Sequence, residues 1–379
     1  MLISLELEQA CLLELIKASL FDLPPHIPKD MNWEKVFEIA KKQCIVPLAM
    51  SCVPSEQRNK WFEISCQCKA YFIQMIHEQN SLVKLLNDNN IKFVILKGTA
   101  AGIYYPNPQI RTYGDIDFYI SDDYLRLARN LLENNGYRLI HYNERHYGYF
   151  KNSFEYEMHT RFSCQSYEDI EINVLNGLNN VVECKINNFT FPCLPVYENG
   201  IVLLGHIMQH IKDYGIGFRQ IIDWMMYVNK VLDDSAWEMH FRELAVDAGL
   251  EKLAITVTFM CKKWLGLPLE ISWCNSADEE IADQLLLRLF NDGNFGQSRA
   301  PFENVRIGMK NEGMFKYLHQ AGIKNWPLAQ KYRFFRIFAW FYQVCRFIHS
   351  GVSGLIKGEK IFRNDRSSIK IEELWKELE

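Results

Sequence analysis

The stretch Gly114-Asp115-Ile116-Asp117-Phe118-Tyr119-Ile120 decides how this chain is read. Side-chain type alternates with a period of two, the spacing of a β-strand, so Asp115 and Asp117 share one face opposite Ile116, Phe118 and Ile120. Carboxylates at i and i+2 lie about 7 Å apart at the backbone. Such a pair repels, and a shared hard divalent cation relieves the repulsion. Asp-x-Asp also occurs at solvated strand ends, so the neighbouring residues must choose between the two readings.

Upstream, residues 92–96 form a short apolar, partly β-branched run of buried-strand type, closed by Lys97-Gly98. Residues 99–105 read as a helix, stopped by Pro106 and Pro108. Lys97-Gly98-Thr99 therefore lies between a strand and a helix N-terminus, where free N–H groups and the helix dipole favour phosphate. Gly98 allows close backbone approach. Lys97 or Arg111 would add a cation for phosphate, pair with an aspartate, or face water. A phosphate cradle and a carboxylate pair thus converge.

Downstream, Ser121-Asp122-Asp123 is an N-cap with acidic first-turn residues, opening a helix that runs to Asn135 and stops at Gly136. Segments 137–141, 146–151 and 154–162 read as further strands, and 184–194 as a hairpin. The rest is helical in spacing: residues 5–90, broken near residues 22–28 and 53–55, and most of the chain beyond Tyr197. The expected organisation is an α+β protein. A small mixed-sheet core at 91–195 is flanked by a helical N-terminal region, 1–90, and a helical C-terminal region, 196–379.

Leu96-Lys97-Gly98, Tyr105-Pro106, Arg111 and Gly114-Asp115-Ile116-Asp117 together resemble the uncharacterised bacterial nucleotidyltransferase family of the polymerase β superfamily. Tyr156-Glu157-Met158-His159 is similar to that family's acidic-residue-x-His strand. His206-Ile207-Met208-Gln209-His210 and Gly217-Phe218-Arg219, continuing to Asp223, resemble its helical signature. The motifs occupy residues 96–223 in the expected order. The resemblance implies a nucleotidyltransferase core with Mg2+ or Mn2+ held by Asp115, Asp117 and Glu157, and an NTP bound by Lys97, Gly98, Thr99 and Arg111. The reaction it implies moves a nucleoside monophosphate to a hydroxyl on a small molecule, sugar or protein, releasing pyrophosphate. His159, His206, His210, Arg219 and Asp223 would touch the acceptor or support these groups. Glu155, on the strand face of Glu157, and Glu171 are rival third carboxylates.

Other features are read on their residues alone. His206 and His210, at i and i+4 on one helix face, have the spacing of a metal pair, with Asp213 and Asp223 as conceivable companions, or serve a structural or acceptor role. Arg219 and Asp223, also at i and i+4, would most simply pair with each other. The aromatic, cation-punctuated run 331–349 reads either as a core-facing helix with arginines reaching water or as an interfacial helix touching anionic lipid.

Composition narrows the classes. With 48% hydrophobic and 23% charged residues the chain is globular rather than disordered. A net charge of -4 provides no global attraction to nucleic acid, so a nucleic-acid partner is not expected. Eleven cysteines without CxxC spacing read as reduced, buried thiols of a cytoplasmic protein. The N-terminus lacks a signal-peptide pattern and no apolar run spans a bilayer. The competing function class is a nucleotide-binding or scaffold protein without turnover, including one peripheral to a membrane surface. Thr99 in place of a second small residue and Glu157 in place of Asp permit it.

Overall fold

Alternation along two short strands builds the centre of the protein, because each of their faces enters a different hydrophobic core. A computed structural model describes residues 4–142, 145–162, 177–212, 215–268, 270–294, 313–356 and 378. The strands are β1 Phe93–Ile95, β2 Ile116–Ile120, β3 Arg138–Tyr142, β4 His146–Lys151, β5 Phe154–His159, β6 Val182–Ile186 and β7 Phe189–Cys193. They form one mixed sheet in the order β3-β4-β5-β2-β1-β7-β6. β1 and β2 are antiparallel, β2 and β5 parallel, and the β3-β4-β5 meander is antiparallel.

The principal described helices are α1 Leu7–Phe21, α2 Trp33–Lys42, α3 Arg58–Asp88, α4 Gly98–Gly102, α5 Asp122–Asn134, α6 Val196–Lys212, α7 Phe218–Val231, α8 Glu251–Trp264, α9 Glu279–Asp292, α10 Met314–Asn325 and α11 Ala339–Ile356. Phe93 and Ile95 of β1, with Ile116, Phe118 and Ile120 of β2, pack against Phe72, Met75, Leu82 and Leu86 of α3 and Ala128 and Leu132 of α5. Val94, Leu96 and Tyr119 enter a second core, shared by α1 and α2 with α6 to α9. The sheet is the wall between the two. Buried Gln43 joins the helices of that second core, donating Nε2–H to Leu289 O at 2.7 Å and accepting the Phe218 N–H at 3.0 Å.

The architecture is the expected α+β arrangement, a mixed sheet accompanied by many helices. Several boundaries are shorter than their sequence patterns. The 99–105 helix is the single turn α4, and the strand expected over 154–162 ends at His159. Asp115 stands immediately before β2 rather than within it, and β2 is buried along both faces. Helix α5 begins after Ser121 as expected, although that side chain makes no capping bond, and Gly136 follows it at φ 83°. All the described cysteines are free, but Cys66 and Cys345 are exposed rather than buried.

The aromatic run near the C-terminus departs further from a core-facing helix. Residues Arg333–Phe338 form 3-10 turns before α11, and Phe334, Ile337, Phe338, Phe341 and Ile348 are exposed while Ala339 is buried. Among the described residues no helix is long and apolar enough to cross a membrane.

Candidate active site

Strand register places the acidic residues side by side. In the parallel β2/β5 ladder Asp117 is opposite Glu157 and Tyr119 opposite His159. On the far side of β5, Glu157 is opposite Gly148 and His159 opposite His146. Opposed residues project to the same face, so Asp117, Glu157 and His159 form one polar cluster with ligand atoms mutually within 4.8 Å. Asp115, ahead of β2, adjoins it. Tyr71 from α3 fixes the approach by donating its hydroxyl hydrogen to Gly114 O at 2.7 Å.

Lys97 enters from the end of β1 through an unusual backbone. Its φ of 47° and ψ of -132° lie where a residue with a Cβ is disfavoured, and Gly98 follows at φ 23°. This sharp turn passes the chain directly from β1 into α4. It leaves the Lys97 ammonium 2.8 Å from Asp117 Oδ1. His159 Nε2 lies 2.7 Å from the same oxygen and 3.4 Å from Glu157 Oε2.

The electrostatics follow from three carboxylates meeting one lysine and one histidine. Repulsion from Asp117, then burial, then Glu157 push the Asp115 carboxyl up to about 7. Burial opposes ionisation of Asp117, but the Lys97 ammonium and the His159 hydrogen bond hold its carboxyl well below the ordinary range. Burial works the same way on Glu157 and is outweighed only by the hydrogen bond from His159 together with the charges of Lys97 and His159, so its carboxyl is lowered. Burial and Lys97 disfavour the imidazolium of His159, yet bonds to Asp117 and Glu157 raise it overall. Asp115 is thus the carboxylate for which the protein supplies too little positive charge.

Other expected site residues have different partners. Arg111 is buried, with its Nε 2.7 Å from Asp223 Oδ1 and an NH2 group 2.8 Å from Oδ2, and it also donates to Thr112 O at 3.1 Å. Tyr105 adds a hydrogen bond to Asp223 Oδ1 at 2.8 Å. The expected Arg219–Asp223 pair is therefore corrected. Both Asp223 oxygens are engaged from across the fold, by Arg111 in bidentate geometry and by Tyr105. Thr99 is buried and donates its hydroxyl hydrogen to Gln79 Oε1 at 2.7 Å, so its side chain braces α4 against α3.

His206 and His210 adjoin the cluster as a tight pair, Nε2 to Nε2 at 2.8 Å. Burial keeps both neutral, joined for His206 by the charges of His210 and Lys97 and for His210, which falls to about 3, by those of Lys97 and Arg219. Asp223 is committed elsewhere, and Asp213 lies outside the described residues. Glu155 is half-exposed, 3.7 Å from His141 Nδ1. Glu171 lies outside the described residues.

Sequence reading missed His141 and His146. His146 approaches Glu157 Oε1 to 3.8 Å, and burial lowers its imidazole to about 4. The signal was the period-two spacing of His146 and Gly148, which sets His146 on the face of Glu157 once register is known. Chemically, the assembled face offers hard carboxylate oxygens beside the Lys97 ammonium, a donor set that could hold a hard divalent cation.

No curated protein matches the chain. A family model described as uncharacterised nucleotidyltransferase does match, across residues 29–266, which takes in the carboxylate strands, the Lys97 turn and the histidine helix. On that match, extending over more than half of its length, the chain belongs to this uncharacterised nucleotidyltransferase family.

Proposed function

We propose that the protein transfers a nucleoside monophosphate from an NTP to an acceptor hydroxyl, using Asp115, Asp117 and Glu157 to hold Mg2+ or Mn2+. The observation that carries this reading is the register pairing of Asp117 with Glu157 beside an Asp115 carboxyl pushed up to about 7. Bound divalent ions would supply the missing positive charge and polarise phosphate oxygens. Glu157, held ionised by His159, is better suited to binding a cation than to taking a proton. His159 orients Asp117 through its Nε2–H. With a divalent cation on Asp117, the Lys97 ammonium, now 2.8 Å from that carboxylate, would be available to the triphosphate.

Gly98 and the backbone of Thr99 form the turn that receives phosphate, while the Thr99 side chain keeps α4 in place through Gln79. Arg111, clamped on Asp223, contributes by fixing α7 beside the cleft rather than by touching phosphate. The acceptor hydroxyl releases its proton to water as its oxygen attacks the α-phosphorus, the bond from that phosphorus to the β-phosphate bridging oxygen breaks, and pyrophosphate leaves. The neutral His206–His210 pair would contact the acceptor.

The test incubates the pure protein and its Asp115→Ala/Asp117→Ala variant with each α-labelled NTP, Mg2+ or Mn2+, and a cell extract. Label transfer with pyrophosphate release by the parent alone is the expected result. Metal-dependent nucleotide binding without transfer by any preparation would replace the transferase reading with that of a binding module.

A further inference from the structure

Three strands of the sheet meet around a missing side chain. Gly148 on β4 is the register partner of both His141 on β3 and Glu157 on β5. A residue with a Cβ at this position would drive that atom into the His141 ring. The gap lets His141 lean over β4 toward Glu157, and His146, two residues before Gly148 on the same strand face, completes the group.

The three ligand atoms lie within 4.8 Å of one another. His141 Nε2 is 3.3 Å from His146 Nε2, and His146 Nε2 is 3.8 Å from Glu157 Oε1. Ligands around a tetrahedral ion with bonds of 2.0–2.1 Å are themselves about 3.3 Å apart. Two imidazole nitrogens and one carboxylate are ligands for an ion softer than magnesium. Glu155 Oε1, 3.7 Å from His141 Nδ1, stands where an outer carboxylate would orient a ligating imidazole. Glu157 faces both ways, with Oε2 toward His159 and Oε1 toward His146.

We infer that His141, His146 and Glu157 form a three-ligand site for a borderline divalent ion of the zinc class, on the β3–β4 edge beside the carboxylate cluster. A fourth coordination position is left for water or a substrate atom. The site shares Glu157 with the nucleotidyl-transfer reading but stands on its own geometry. Its occupancy would fasten the β3–β4 hairpin to the strand that carries the third carboxylate.

The experiment measures Zn2+ affinity of the full chain by competition with a chromophoric chelator, and tetrahedral coordination by the visible spectrum of the Co2+ form. His141→Gln/His146→Gln, which keeps polar side chains at a solvent-accessible edge, should bind Zn2+ more than about a hundredfold more weakly, above the range for outer-sphere partners. Gly148→Ala keeps every ligand but displaces the His141 ring, and should weaken Zn2+ by about tenfold. Circular dichroism confirms that both variants fold. Unchanged Zn2+ affinity in the folded double variant would overturn the inference. So would loss of Zn2+ in Asp115→Asn/Asp117→Asn but not in the histidine variant. Zn2+ that follows the histidines while no preparation binds nucleotide would leave this site standing and remove the nucleotidyl reading.

Discussion

Two buried ion pairs in this protein look alike at their contact and behave oppositely around it. Arg111 meets Asp223 at 2.7 Å and Lys97 meets Asp117 at 2.8 Å. Around Asp223 the charges cancel: one guanidinium faces one carboxylate in bidentate geometry, and Tyr105 adds a hydrogen bond. Around Asp117 they do not, because Asp115 and Glu157 crowd the same space and push the Asp115 carboxyl up to about 7. A saturated pair fixes two elements together, whereas an unsaturated one is a place prepared for a further cation. Strength of contact does not separate structural from functional charge here, but the surplus does.

The largest effect should come from breaking the saturated pair. Asp223→Ala strands the Arg111 guanidinium in the interior, and the expected loss of stability is about 3–5 kcal/mol. Removing both partners as Arg111→Met/Asp223→Leu should restore most of it, since the desolvation cost disappears with the charges. Denaturant unfolding of the two variants reads this directly. Equal destabilisation by the single and double changes would deny that the pair is a closed unit.

The opposite sign is expected at the unsaturated site. Asp115→Asn removes one of three crowded negative charges, so the metal-free protein should gain roughly 1–3 kcal/mol near pH 8 while losing nucleotidyl transfer. The folded carboxyl titrates at about 7 against an ordinary 3.8. Its stabilising contribution is therefore complete below the ordinary value and is lost as pH rises through about 7. The advantage of the variant should fade toward pH 4. Mg2+ or Mn2+ should raise the melting temperature of the parent and not of the variant. A variant no more stable than its parent at pH 8 would mean that the charge surplus is relieved elsewhere.

The same contrast explains what could be read in the sequence. The strand of Asp117 and the turn at Lys97-Gly98 were legible because they depend on local period and backbone preference, although the same period placed Asp115 within a strand that begins one residue later. The pairing of Asp117 with Glu157 depends on register between strands 40 residues apart in sequence, and that of Arg111 with Asp223 on a contact spanning 112 residues. Local patterns carry no information on either. Arg219, four residues from Asp223, was the nearer candidate by sequence and lost to a distant arginine whose planar fork meets both oxygens. The histidine edge was hidden for a different reason: its organising residue, Gly148, acts by having no side chain.

The smallest effect separates scaffold from site most finely. Tyr71 belongs to the scaffold by position, half-buried on α3, yet its hydroxyl holds Gly114 O at 2.7 Å, one residue before Asp115. Tyr71→Phe leaves the ring in contact with Phe154 and removes a single neutral hydrogen bond, for an expected stability loss of about 0.5–1.5 kcal/mol. If that bond merely secures the fold, turnover per folded molecule will be unchanged. If it sets the approach of Asp115 to the cluster, the Mn2+ concentration needed for half-maximal nucleotide binding will rise, while binding at saturating Mn2+ returns to the parent level. The second outcome is expected, because Asp115 lies outside the β2 ladder and the Tyr71 bond anchors the residue just before it.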